Sequence, residues 1–170
     1  MNRRPSKLGS RAQAVKIQID GASRGNPGPS GIGIVLSDAR KGKETHLALF
    51  LGQTTNNVAE TCALLVALQE AARLGYRQVS VFTDSELLQR QATGVYRIKD
   101  QQLQLLHTLI QRLMKGFDRF EIWHLPREKN RTADRLANRA IAEELKRHPK
   151  LKHKAPPTQT LPAQPTFGFI

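Results

Sequence analysis

Two aspartates end two apolar strands, and they are the first residues whose type and spacing suggest chemistry. Asp20 closes VKIQID (15–20), and Asp84 directly follows QVSVFT (78–83). If these strands are parallel neighbours, both carboxylates emerge side by side at the carboxyl edge of the sheet. That edge is where α/β proteins place their sites.

Two further acids, Glu60 and Asp134, fall in the first turns of predicted helices and can face the same edge. Four carboxylates brought together without a cation would repel one another, and their pKa values would rise. Mg²⁺ or Mn²⁺ would relieve that repulsion, because hard cations prefer oxygen ligands. Two such ions about 4 Å apart can clamp an in-line displacement at a phosphodiester.

Each of the four acids also has an ordinary interpretation. A carboxylate in the first turn of a helix usually compensates the helix dipole. An Asp after a strand is usually a turn residue or a helix cap. Composition, periodicity and spacing alone leave both interpretations open.

The elements that must position these acids follow the order βββαβααβα. The first three strands are joined by short connections and should pair antiparallel. The strand–helix–strand unit that follows favours parallel pairing of the first and fourth strands. Strands are predicted at 15–20, 31–38, 44–51, 78–83 and 118–125, and helices at about 56–74, 85–92, 100–114 and 131–147.

Local signals set the limits of these elements. Residues 21–31 contain four glycines and two prolines and are predicted to form a loop. Asn56 or Asn57 is predicted to cap the first helix, which puts Glu60 in its first turn. Asp100 is predicted to cap the third helix.

The net charge of +13 is unevenly distributed over the 170 residues. Residues 1–16 carry five bases and no acid, and so do residues 146–154. The central part, 17–145, holds 17 bases and all 14 acids, a net charge of only +3. A basic balance points to polyanions, most simply nucleic acid.

Length and composition favour one domain with a real core. We predict a basic flexible arm at 1–14, a catalytic domain at 15–147, and a basic, Pro-rich flexible tail with an apolar tip at 148–170. The one cysteine, Cys62, excludes an internal disulfide, and no zinc-type spacing occurs. No membrane-length apolar run or secretory signal is present, so we expect a cytoplasmic protein with no membrane partner. We also expect a monomer.

Four motifs of this chain resemble those of ribonuclease H type 1. They are DGASRGNPGPSGIG (20–33), TTNNVAE (54–60), FTDSELL (82–88) and TADRLAN (132–138), and the resemblance covers about residues 15–145. It implies an α/β fold with a five-stranded mixed sheet, three antiparallel strands and then two parallel ones, flanked by helices. It also implies hydrolysis of the RNA strand of RNA–DNA hybrids with two Mg²⁺ or Mn²⁺ ions, leaving 5′-phosphate and 3′-hydroxyl ends.

The same resemblance assigns roles to individual residues. The acidic quartet of the family, which ligates the metals, falls on Asp20, Glu60, Asp84 and Asp134. Thr55 would bind a phosphate of the DNA strand. Contacts to 2′-hydroxyls and to the backbone would fall on Gly21, Ser23, Asn26, Asn56, Asn57 and Glu86. Glycine-loop backbone groups and Asn amides suit that task, because they offer donors and acceptors without charge.

The chain departs from the family pattern in the loop before the last acid. The best-known members carry a His in a long loop there. Here only PREKNRTA separates Leu125 from Asp134, with no His. Arg127 is the candidate substitute: a cation near the scissile phosphate could stabilise charge but cannot be a general base at neutral pH. The alternative is a solvated loop charge.

Other departures should weaken hybrid binding by the core. The basic handle that many relatives insert after the fourth strand is missing, Glu86 stands where relatives often have Gln, and Gln53 where a phosphate-binding Arg often occurs. The basic flanks are candidates to replace the lost attraction. Cleavage of double-stranded RNA, and a non-catalytic module that binds hybrids or RNA, remain the alternative functions.

The last residues suggest a separate partner. Gln164, Phe167 and Phe169 in QPTFGFI resemble the short peptide by which bacterial proteins bind the sliding clamp. Extended peptides of this kind dock in apolar grooves. The alternatives are that these residues pack on the protein's own surface or have no role.

Overall fold

A five-stranded mixed sheet forms the centre of the computed structural model, which describes residues 13–153. The strand order is β3-β2-β1-β4-β5. β1–β2 and β2–β3 pair antiparallel, whereas β1–β4 and β4–β5 pair parallel, so the predicted fold class is confirmed. The strands are β1 (Ala14–Ser23), β2 (Gly28–Asp38), β3 (Lys43–Thr54), β4 (Gln78–Thr83) and β5 (Arg119–His124); the helices are α1 (Asn56–Arg73), α2 (Glu86–Ala92), α3 (Gln101–Met114) and α4 (Arg131–Arg147).

Helices pack on both faces of this sheet. Successive residues of a strand point to opposite faces. Ile17 and Ile19 of β1 join the core built with α1, where Leu64 and Leu68 are fully buried. α3 packs against α1, and α4 packs on the other face against β1, β2 and β3. Among residues 13–153, none of the helices combines the length and the apolar character that a membrane span requires.

The predicted loop at 21–31 is wrong in extent. β1 continues to Ser23 and β2 begins at Gly28, which leaves a turn of four residues. Gly25 lies in this turn with a φ of +116°, whereas Gly21 serves close packing inside β1. A Cβ on Gly21 would overlap the backbone of Glu60 in α1, and one on Gly33 would overlap the carbonyl oxygen of Ala133 in α4.

The start of α1 also differs from the prediction. Thr55, rather than Asn56 or Asn57, is the cap: its Oγ1 accepts a hydrogen bond from the Val58 amide at 3.3 Å. Glu60 is consequently one or two residues further into α1 than expected, just beyond its first turn, and it is buried. The predicted cap of α3 is confirmed, since Asp100 Oδ1 accepts from the Leu103 amide at 2.9 Å.

The first residues of the predicted C-terminal tail have regular structure. Residues Pro149–His153 form a 3₁₀ helix directly after α4. Gln53 at the end of β3 donates from Nε2 to the Leu151 carbonyl oxygen at 2.9 Å. Residues 1–12 and 154–170, and with them most of the predicted arm and tail and the 164–170 motif, lie outside the described residues.

Candidate active site

Four carboxylates from four different segments line one cavity of about 420 Å³ at the carboxyl end of the parallel strands. Asp20 comes from β1, Glu60 from α1, Asp84 from the residue after β4, and Asp134 from the first turn of α4. Asp20 and Glu60 are buried, and Asp84 and Asp134 are partly exposed. The structure thus brings together all four acids that the sequence singled out.

Two glycines allow α1 and α4 to pack so close to the sheet that Glu60 and Asp134 lie near Asp20. Gly21 directly follows Asp20 and contacts the backbone of Glu60. Gly33 pairs with Asp20 across the β1–β2 ladder and contacts Ala133, the residue before Asp134. At both positions the absent side chain lets helix backbone touch strand backbone.

The cavity is electrostatically unfavourable for the carboxylates that line it. Burial is the main cause that raises the pKa of Asp20 to about 8, and Asp84 and Asp134 add to the effect. A hydrogen bond between Asp20 and Asp84 contributes as well. Burial, followed by the charges of Asp20 and Asp84, holds the pKa of Glu60 well above its usual value. Positive charge placed in the cavity would reverse these shifts.

Asn130 completes the site and was missed by the sequence analysis. It is fully buried, and its Nδ2 donates to Asp84 Oδ1 at 2.7 Å and to the Ile19 carbonyl oxygen at 2.8 Å. Asn130 occupies the cap position of α4 but makes no side-chain cap bond. The Asn preceding α4 was its only sequence signal, and that signal indicates a cap rather than an acid partner.

Arg127 lies at the mouth of the cavity on a short 3₁₀ helix, Arg127–Lys129. One guanidinium nitrogen is 3.7 Å from Asp134 Oδ1, and the side chain is 82% exposed. An exposed cation in this place can approach a phosphate. His124 does not line this cavity, so among the described residues it offers no substitute for the loop His of relatives.

The predicted substrate contacts divide into two groups. Gly21, Ser23 and Asn56 line the cavity. Asn26 lies beside it, with Oδ1 accepting from the Asn56 amide at 3.2 Å.

The other predicted contacts lie outside the cavity lining. Thr55 caps α1, and Asn57 is exposed on its first turn. Glu86 is exposed and pairs with Arg90 at 2.7 Å. Ala22, Ser85 and Asn138 line the cavity without having been predicted.

The donor set fits a divalent cation. Among residues 13–153, no three carboxylate, imidazole or thiol side chains already form a metal site as they stand. Glu60 Oε2 is nevertheless a buried oxygen without a hydrogen-bond partner in the described part of the chain. An all-oxygen set that is short of positive charge suits Mg²⁺ or Mn²⁺.

Comparison with known proteins identifies the family. The family described as reverse transcriptase-like matches residues 18–140. Ribonuclease HI of Halobacterium salinarum is 40% identical over 131 residues, which cover 77% of this chain and 66% of that protein. The bifunctional protein Rv2228c of Mycobacterium tuberculosis is 41% identical over 130 residues, 75% of this chain and 35% of that protein. The chain therefore spans less than two thirds of these relatives' length.

A solved structure gives the same result. LC11-RNase H1, crystallised in complex with an RNA/DNA hybrid, superposes with a TM-score of 0.72 at 41% identity, over 77% of this chain and 99% of that one. Fold, strand order and the positions of the acidic motifs agree with the resemblance found in the sequence. The chain is a member of the ribonuclease H type 1 family.

Proposed function

We propose that this chain is an endoribonuclease that hydrolyses the RNA strand of RNA–DNA hybrids with two divalent cations, leaving 5′-phosphate and 3′-hydroxyl ends. The observation that carries the proposal is the convergence of Asp20, Glu60, Asp84 and Asp134 on one cavity with unfavourably raised carboxylate pKa values. The hybrid-bound LC11 relative supports the substrate.

The four acids are the proposed metal ligands. When bound, two Mg²⁺ or Mn²⁺ ions activate the attacking water and stabilise the leaving oxygen. Asn130 keeps one oxygen of Asp84 fixed through its 2.7 Å bond, so that this carboxylate does not rotate away. Arg127 at the mouth of the cavity stabilises negative charge on the scissile phosphate.

Selection of the RNA strand falls to uncharged groups at the edge of the cavity. The backbone of Gly21, the Ser23 hydroxyl and the Asn56 amide lie next to the acids and can bond 2′-hydroxyls. Asn26 and Asn57 extend this surface, and Thr55 binds a DNA-strand phosphate. Glu86, exposed and paired with Arg90, adds at most a peripheral contact.

Matched RNA–DNA, RNA–RNA and DNA–DNA duplexes, each incubated with Mg²⁺, Mn²⁺ or chelator, test the proposal. We expect metal-dependent cleavage of the hybrid alone, and end-labelling should show 5′-phosphates. Asp84→Asn should abolish cleavage, whereas Asp118→Asn, on an exposed acid paired with Arg77 outside the cavity, should not.

Two results would replace the proposed function with one of its alternatives. Equal cleavage of RNA–RNA duplexes would show a double-stranded RNA nuclease. Tight hybrid binding without cleavage in either metal would show a non-catalytic binding module.

A second proposal concerns partners. We propose that Gln164, Phe167 and Phe169 bind a sliding clamp as an extended peptide, and that the enzyme acts in the cytoplasm as a monomer. Clamp pull-down with the full chain and with a chain lacking 164–170 tests the contact. Equal recovery of the two would disprove it.

A further inference from the structure

The face of the sheet that carries α4 has an open groove beyond that helix. α4 packs on β1, β2 and β3. Gln18, Phe82 and Trp123 follow one another in register across β1, β4 and β5, so their side chains share a face. The groove has a volume of about 570 Å³, and Lys16, Leu125 and Lys129 also line it.

Trp123 is the exposed aromatic surface of this groove. Its side chain is 53% exposed, an unusual state for a large apolar residue. Glu121, two residues before Trp123 on the same face of β5, pairs with Arg119 at 2.6 Å. The negative charge beside the ring is therefore neutralised.

The charge around the groove is positive. Lys16 and Lys129 are both exposed and, within residues 13–153, neither has an ion-pair partner. Arg119 compensates the charge of Glu121, which lies two residues from Trp123 on β5. An aromatic face flanked by free lysines complements a polyanion that carries stacking groups.

One short segment separates the groove from the catalytic cavity. Pro126 and Lys129 line the groove, while Arg127 lines the cavity. Gln18 donates from Nε2 to the Lys129 carbonyl oxygen at 2.9 Å, which fixes this segment to the sheet. A strand bound in the cavity therefore has only this short segment to pass before it reaches the groove.

We infer that this groove binds a single-stranded stretch that adjoins the hybrid, with a base stacked on Trp123 and phosphates near Lys16 and Lys129. The inference rests on the proposed function, since the cavity must hold the hybrid part of the same molecule. It names a substrate class: hybrids that continue into single strand. Stacking on an aromatic side chain is sequence-tolerant, so no base preference is expected.

Trp123 is the one tryptophan of the chain, so tryptophan fluorescence reports on binding at the groove. Oligothymidylate added to the full chain should quench its fluorescence, in chelator as well as in Mg²⁺. Binding of hybrids with and without a single-stranded overhang, measured on the Asp84→Asn background, should favour the overhang. Trp123→Ala should remove that advantage, roughly 5- to 100-fold, and leave blunt hybrids unchanged.

Variants separate stacking from folding and from charge. Trp123→Phe should keep most of the advantage, and Lys16→Ala should reduce it in a salt-dependent manner. Leu49→Ala, at another exposed apolar residue on the opposite edge strand, should have no effect. Equal affinity of the unsubstituted chain for blunt and overhanging hybrids, or unquenched Trp123, would overturn the inference.

Two further outcomes keep this inference distinct from its rivals. If hybrids are cleaved without any preference for an overhang, the inferred binding of single strand in the groove is overturned, and the proposed function stays intact. A shift of Trp123 emission in the free protein on removal of 164–170 would show that the chain's own tip fills the groove, and would likewise overturn the inference.

Discussion

Asn130 and Asp84 are joined by a 2.7 Å hydrogen bond that links the loop before α4 to the end of β4. The same amide nitrogen bonds the carbonyl of Ile19, the residue before Asp20. One buried side chain thus fixes two of the four acidic segments relative to each other.

Replacement of this amide should weaken metal binding more than it weakens the fold. We expect Asn130→Ala to lower the apparent Mg²⁺ affinity and kcat by roughly 10- to 100-fold, as loss of groups that orient a metal ligand does elsewhere. Asn130→Asp should be worse, because it sets a new negative charge against Asp84. Mg²⁺ titration of hybrid cleavage measures both, with Gln104→Ala on the α3 surface as control. Unchanged Mg²⁺ dependence would contradict the positioning role.

Removal of charge at Asp20 should stabilise the metal-free protein. Its pKa of about 8 lies above the usual value, so its stabilising protonated form is lost as pH rises towards 8. In chelator at pH 8, Asp20→Asn should raise Tm by about 3–8 °C. In Mg²⁺, the same variant should have lost cleavage. The gain should shrink towards pH 4, where Asp20 is protonated. Added Mg²⁺ should raise Tm of the unsubstituted chain but not of the variant.

Arg127 should contribute to turnover without being indispensable. Arg127→Ala is expected to reduce kcat roughly 10- to 100-fold, because one charge that stabilises the reacting phosphate is lost. Arg127→Lys should retain part of the rate. Single-turnover cleavage at saturating hybrid measures the effect, and Glu128→Gln on the same 3₁₀ helix is the matched control. Equal rates for Arg127→Ala and the unsubstituted enzyme would leave Arg127 a solvated loop charge.

His107 should make the fold sensitive to acid. It is 5% exposed, neither ring nitrogen has a hydrogen-bond partner among the described residues, and burial lowers its pKa. The unfolded chain therefore takes up a proton before the folded one does, and stability falls as pH drops below about 6.5, by at most about 1.4 kcal/mol per pH unit. Urea unfolding of His107→Leu should show a flatter pH dependence. Gln104→Leu, on the exposed surface of the same helix, should not change it.

The basic flanks should set the salt dependence of hybrid binding. Removal of 1–12 and 154–170 deletes five bases while leaving α4 and the following 3₁₀ helix intact. The slope of log affinity against log salt should become shallower, by about one unit per lost phosphate contact. Single-turnover cleavage at saturating hybrid should be nearly unchanged. A second variant of the full-length chain separates the effect of charge from that of length; it replaces four bases by Gln, namely Arg3, Arg4, Lys7 and Arg11. An unaltered salt slope would refute a role of the flanks in hybrid binding.

The acids were predictable and their supporting groups were not, for a physical reason. Asp20 and Asp84 lie at the ends of strands that the local alternation of apolar and polar residues predicts. The four motifs that contain the acids also resemble a known family. Asn130 donates hydrogen bonds to Asp84 and Ile19, which are 46 and 111 residues away in the chain, so no local sequence pattern indicates its role.

The same limit explains the error at 21–31. Glycine-rich sequence is typical of loops, but Gly21 requires the absence of a side chain because α1 backbone touches it. That requirement appears only when the strand and the helix are placed together. The cap of α1 differs from the prediction because Thr55 and Asn56 are both good caps, and only the backbone geometry at the helix start decides between them.

Gly33 governs the dimensions of the cavity without contributing an atom to its lining. It lies opposite Asp20 in the ladder and touches the turn of α4 that presents Asp134. A methyl group there would lift that turn and widen the gap between Asp20 and Asp134, two of the proposed metal ligands. Mg²⁺ demands nearly ideal octahedral geometry, whereas larger cations accept looser cages. Position 33 is therefore a place where metal preference can be tuned while every carboxylate is kept.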